Sequence, residues 1–63
     1  MDFSEKIAML RRQKNWSQEE LAEKLMVTRQ AVSKWESAQS MPDLDKIVQL
    51  SELLGVNTDY LLK

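Results

Sequence analysis

Neither cysteine nor histidine occurs in the chain. Disulfides and thiolate metal sites are therefore excluded, and so is the imidazole that most often serves as metal ligand or as general base at neutral pH. The hydroxyls and carboxylates that remain have no obvious activating partner. The expectation is a protein that is not an enzyme, with no catalytic residue, no metal and no cofactor. A single glycine, Gly55, and a single proline, Pro42, leave little material for hairpins or long loops. No apolar run approaches the roughly 20 residues that a membrane span requires, and no segment has the layout of a signal peptide. The lack of cysteine agrees with a reducing cytoplasm. With 63 residues there is room for one domain, residues 1–63. Its core must be economical, because a chain this short buries only about 60% of the surface that its unfolded form exposes.

Charge of one sign is also missing: nine Lys and Arg face ten Asp and Glu, for a net charge of −1. That total argues against a nucleic-acid partner until the charges are placed along the chain. The stretch Arg11–Gln18 holds Arg11, Arg12 and Lys14 and no acid, and Thr28–Trp35 holds Arg29 and Lys34 and no acid. Five of the nine positive charges lie in these two stretches, and all ten negative charges lie elsewhere. A polyanion meets a local patch rather than the molecular sum, so the asymmetry keeps nucleic acid open. The acidic remainder lowers non-specific affinity.

What the chain has in abundance is apolar residues spaced by three and four, the period of amphipathic helices. Phe3, Ile7 and Leu10 form one stripe, Leu21, Ala22 and Leu25 another, Ala31, Val32 and Trp35 a third. Leu44, Ile47, Val48, Ser51 and Leu54 form a longer one, and Tyr60, Leu61 and Leu62 close the chain. Start signals stand between the stripes. Ser17 with Glu20 has the spacing of a capping box, and Trp16 with Leu21 that of a hydrophobic staple. Thr28 repeats the arrangement with Val27 and Val32. Asp43 caps a helix after Pro42, Gly55 ends it, and Asn57 or Thr58 starts a last short one. The pattern predicts five helices, at about 3–14, 18–25, 29–36, 44–54 and 58–62.

The junction between the second and third helices is the informative feature. One helix ends near Leu25 and the next is capped at Thr28. So short a turn sets two helices at a steep angle, the helix-turn-helix arrangement. Leu21, Ala22, Leu25, Val27, Val32 and Trp35 take its inward positions, with Ala22 small where the helices cross. Arg29, Gln30, Ser33 and Lys34 take the outward positions of the third helix. That face is basic or amide-bearing and lacks carboxylates, as a face entering a major groove should be.

The stretch WSQEELAEKLMVTRQAVSKWE resembles the phage repressor and Cro family, the Xre-type regulators of bacteria, and PDLDKIVQLSELLGV resembles that family's fourth helix. The resemblance covers roughly Phe3 to Leu62. It implies an all-α, compact five-helix, lambda-repressor-like domain that binds double-stranded DNA as a homodimer and regulates transcription, most often by repression. It also implies a bacterial cytoplasmic protein associated with the nucleoid, with no small-molecule ligand evident in this domain. Arg29, Gln30 and Lys34 match positions that reach base edges, with Ser33 between them. Gln18 matches a phosphate-holding position, and Ser17 and Thr28 stand with it at helix N-termini. Ser37 and Ser40 match loop residues that contact phosphate. Arg11 and Glu36 match an ion pair that ties the first helix to the third, the arginine also lying near phosphate in relatives.

Each of these residues has a plainer alternative. Arg29 and Lys34 fit a solvated helix face, Gln18 an exposed first-turn residue, Ser37 and Ser40 ordinary loop positions, and Arg11 with Glu36 a purely structural pair. Trp16 and Trp35 read as staple and core rather than as base-stacking aromatics. Two functional rivals keep the fold: the DNA-binding antitoxin of a toxin–antitoxin pair, and a protein-interaction module without DNA binding. The latter predicts acidic or apolar residues on the face of the third helix, which are absent. Met26 stands where the family usually carries glycine or another residue tolerant of positive φ, and Ala38 where it usually carries glycine, so either the backbone differs there or the domain bears strain.

Overall fold

Every helix opens on a side chain that closes its own first turn. The computed structural model describes residues 1–63 and contains α1 (Phe3–Gln13), α2 (Gln18–Leu25), α3 (Arg29–Glu36), α4 (Leu44–Leu54) and α5 (Thr58–Leu62), with no strand. Asp2, Ser17, Thr28, Asp43 and Asn57 occupy the N-caps in extended backbone, and each accepts from the backbone N–H three residues on. Asp2 with Glu5 and Ser17 with Glu20 complete capping boxes. A cap of this kind is worth about 1 kcal/mol against alanine. The first helix ends one residue earlier than the spacing predicts, at Gln13, and its Asp2–Glu5 box is an addition that the apolar pattern does not signal. Asn57, not Thr58, caps α5.

Four connections turn on left-handed residues: Asn15 (φ 60°), Met26 (59°), Ala38 (64°) and Gly55 (74°). Glycine adopts this geometry freely and asparagine tolerates it. Met26 and Ala38 have no such excuse, so the question left by the sequence resolves as strain: the turn backbone is kept and the side chains bear roughly 1 kcal/mol each. Met26 is 90% exposed and lies outside the core, so burial does little to offset the cost. Met26→Gly is therefore expected to raise stability by about 1 kcal/mol, which for so small a domain is a shift of about 4–8 °C in the midpoint of a thermal melt. A melt that moves downward would show that the Met26 side chain contributes more than the strain removes.

One core draws on all five helices. Ile7 and Leu10 come from α1, Leu21, Ala22 and Leu25 from α2, Val32 and Trp35 from α3, Leu50 and Leu54 from α4, and Leu61 from α5. The most extensive helix contact is α2 on α3. Two expectations need correction. In α4 the buried positions are Ile47, Leu50, Ser51 and Leu54, whereas Leu44 and Val48 are 69% and 42% exposed. Both stripes have helical period, and packing against α1, α2 and α5 selects the one that contains Leu50. At the C-terminal end only Leu61 is buried; Tyr60 and Leu62 face outward.

Two lysines fasten helices through carbonyl groups. Lys6 Nζ donates to the Tyr60 carbonyl oxygen at 2.6 Å and lies 4.9 Å from the Tyr60 ring centre, which joins α5 to α1. Lys46 Nζ donates to the Leu25 carbonyl oxygen at 2.8 Å, satisfying an end of α2 that Met26 leaves open. No helix is long and apolar enough to cross a membrane.

Candidate nucleic-acid interface

The candidate surface begins with the anchoring of α3. Val32 is fully buried and Trp35 is 5% exposed, and this sets the rotation of the helix. The same rotation leaves Arg29, Gln30 and Lys34 exposed and Ser33 half-buried. These four lie at i, i+1, i+4 and i+5, so they share one broad face. Thr28 Oγ1 accepts from the Ala31 N–H at 3.2 Å, which leaves the first-turn N–H groups of Arg29 and Gln30 open at the helix tip. The one acid of α3 is turned away from this face: the Glu36 side chain is only 6% exposed. The helix thus presents cations, an amide and a hydroxyl outward and hides its carboxylate.

Glu36 is held by three donors. Arg11 Nε reaches its Oε2 at 2.6 Å, Arg11 Nη2 reaches its Oε1 at 3.0 Å, and Gln18 Nε2 reaches the same Oε1 at 3.1 Å. Arg11 Nη1 also donates to the Trp16 carbonyl oxygen at 2.7 Å. Helices α1, α2 and α3 therefore meet at one carboxylate. Burial by itself pushes the Glu36 carboxyl up, but the hydrogen bonds from Arg11 and Gln18, with the charges of Arg11 and Arg12, outweigh it and hold the group below the usual carboxylate range. The Glu36 hydrogen bond raises Arg11 against the opposing effect of its burial.

The remaining candidate residues fall around this frame. Ser17 Oγ accepts from the Glu20 N–H, and Glu20 Oε1 accepts from the Ser17 N–H, both at 3.0 Å. Ser17 is exposed and Gln18 half-buried. Ser37 and Ser40 are exposed in the segment after α3, where the Ser37 hydroxyl donates to the Lys34 carbonyl oxygen at 3.3 Å. Arg11 is 8% exposed, with three of its N–H groups engaged inside the protein, so its role as a tie dominates its role as a free cation. Reasoning from sequence missed the bond between Gln18 and Glu36. It counted Arg12 and Lys14 only as part of a basic stretch, and it passed over Lys24. Arg12 is exposed, and Lys14 and Lys24 stand 5.7 and 4.7 Å from the Trp16 ring. The acid-free stretch Arg11–Gln18 signals the first two; nothing local signals Lys24.

The helix-turn-helix family pattern matches residues 7–61, which includes α2, the turn and α3 in full. The chain belongs to the helix-turn-helix family. Among relatives, this helix-turn-helix domain is 45% identical over 62 residues to the HTH-type transcriptional activator BcrR of Enterococcus faecalis, covering 98% of the chain and 30% of that protein. It is 43% identical over 61 residues to the SPbeta prophage-derived uncharacterized HTH-type transcriptional regulator YonR of Bacillus subtilis (strain 168), covering 97% of the chain and 56% of that protein. The chain thus spans between 30% and 56% of the length of these two relatives. Among solved structures, the P22 c2 repressor in complex with a synthetic operator superposes with a TM-score of 0.95 at 30% identity, covering 100% of this chain and 96% of that one. SinR in complex with DNA superposes with a TM-score of 0.87 at 29% identity, covering 97% and 98%. The all-α, five-helix repressor-like fold follows from these likenesses and from the helices themselves.

Proposed function

We propose that this helix-turn-helix domain binds double-stranded DNA sequence-specifically and regulates transcription, acting as a repressor where its operator overlaps a promoter. The observation that carries this reading is the face of α3. Arg29, Gln30 and Lys34 are exposed on one face with half-buried Ser33 between them and no acid among them, while Glu36 on the same helix is buried in an ion pair. The likeness to a repressor and a regulator solved with DNA supports it.

In the proposed mechanism, phosphates are gripped by Gln18, Ser17 and Thr28 at the tips of α2 and α3 and by Ser37 and Ser40 beyond α3, with Arg11 contributing its charge from behind. Arg29, Gln30, Ser33 and Lys34 then read base edges in the major groove. One such helix covers too few bases for useful specificity. The domain is therefore proposed to bind as a homodimer on a two-fold operator with half-site centres about 34 Å apart. Tyr60 and Leu62 are 42% and 50% exposed and available for the subunit contact; Leu61 is fully buried and belongs to the core. The proposed setting is the bacterial cytoplasm, on the nucleoid.

Selection from a pool of randomised duplex DNA, followed by footprinting, tests the proposal. The expected result is a two-fold symmetric site with protection over both halves. A pool that remains unenriched overturns specific DNA binding; a single asymmetric half-site overturns the dimer alone.

A further inference from the structure

We propose that Glu36 is a positioning residue for DNA binding: it fixes which end of the Gln18 side-chain amide faces the DNA, and it locks the tip of α2 to the end of α3. This inference rests on the DNA-binding reading above and names a residue that itself touches no DNA.

Glu36 offers only acceptors. Its Oε1 takes one bond from Arg11 Nη2 at 3.0 Å and one from Gln18 Nε2 at 3.1 Å, and its Oε2 takes Arg11 Nε at 2.6 Å. A Gln18 amide turned the other way would set its carbonyl oxygen against a buried carboxylate oxygen. The amide nitrogen therefore faces Glu36 and keeps a second N–H free. The backbone at this corner is open as well. The capping box closes the N–H groups of Ser17 and Glu20, and those of Gln18 and Glu19 remain without partners in the first turn of α2. The first turn of α2 thus carries two open backbone donors and one oriented side-chain donor. A glutamine free to rotate would lose side-chain entropy on meeting phosphate; one already held by Glu36 has largely lost it on folding. Arg11 makes the arrangement tolerable, because its charge neutralises a carboxylate that would otherwise repel the phosphate.

The same bonds couple two parts of the interface. Gln18 opens α2 and Glu36 closes α3. A phosphate held at the tip of α2 therefore sets how α3 enters the groove.

A double-mutant cycle on DNA affinity tests this, because Glu36→Gln removes a negative charge near phosphate and its single effect mixes attraction with lost orientation. Wild type, Gln18→Met, Glu36→Gln and the double variant are titrated at low salt into a fluorescein-labelled duplex of random sequence, about 20 base pairs long. Gln18→Met is expected to weaken wild-type binding roughly fivefold. In the Glu36→Gln background the same change is expected to matter by less than about twofold. Equal losses in the two backgrounds, or no loss in the wild type, overturn the positioning role. A wild type that binds no duplex overturns the functional reading, and this inference with it. Should Glu36→Gln fail to fold, hydrogen exchange of the side-chain amides in the wild type decides. One Gln18 Nε2 proton is expected to exchange more slowly than those of exposed Gln30, and equal rates overturn the proposal.

Discussion

Arg11→Ala is expected to remove about 3 kcal/mol or more of folding stability, the usual cost of deleting one partner from a buried ion pair. The Arg11 and Glu36 side chains are 10% and 6% exposed. Without the guanidinium, Glu36 keeps its charge in a buried site with only Gln18 as donor, and the Trp16 carbonyl loses its partner. A domain of this size has a total stability of about 3–9 kcal/mol, so a large part of it depends on this contact. Urea unfolding of the two proteins measures the loss. A value below about 1 kcal/mol would class the pair with exposed salt bridges. Arg11→Ala/Glu36→Ala should recover part of the loss, because the orphaned charge is gone, and the cycle should show a coupling of about 0.5–3 kcal/mol.

The pair also predicts a pH dependence. Glu36 is more acidic folded than unfolded, because the donors of Arg11 and Gln18 outweigh its burial. Its contribution is therefore complete above the ordinary glutamate value of about 4.3 and is lost as pH falls through the lower folded value. Wild-type stability should decline over that acid range, and Arg11→Ala should show a shallower decline. Arg11 is shifted upward from a value already far above neutrality, so it adds no slope at working pH.

Arg29→Ala or Gln30→Ala is expected to cost about 1–3 kcal/mol on the best operator, roughly five- to 150-fold in affinity, and to relax preference at particular bases. Both residues stand exposed in the first turn of α3, the end that reaches deepest when a helix enters a groove. Arginine fits the paired acceptors of guanine, and glutamine fits the donor and acceptor of adenine. Neither side chain is engaged within the protein, so its removal should leave the thermal melt nearly unchanged. Gln18 variants should weaken all sequences more evenly than these two, because phosphates are alike. Affinities on single-base operator variants at fixed salt separate the two patterns. If Arg29→Ala and Gln30→Ala weakened every variant by one common factor, α3 would not be reading bases and the function would reduce to non-specific binding.

What the sequence by itself determined is what local chemistry controls. Ser17, Thr28 and Asp43 start helices by bonding N–H groups three residues away, and Gly55 ends one within a single residue. Those signals act over a few positions, so the helix boundaries from α2 onward, the tight turn before Thr28 and the acid-free outward face of α3 were legible without a fold. The expectation of an Arg11–Glu36 pair came only by way of a family resemblance, since nothing in the spacing of two residues 25 apart brings them together.

Tertiary structure alone decided the rest. Two overlapping stripes of α4 have equal helical period, and only packing against α1, α2 and α5 turns Leu50 inward and leaves Leu44 and Val48 in solvent. The turn at Met26 stays left-handed despite its residue, because the packing of α2 on α3 outweighs a local strain of roughly 1 kcal/mol. Gln18 meets Glu36 across 18 residues, Lys46 meets Leu25 across 21, and Lys6 meets Tyr60 across 54. Each of these bonds joins two helices whose relative placement is set by the shared core, so no window of sequence contains both the donor and the reason that it arrives.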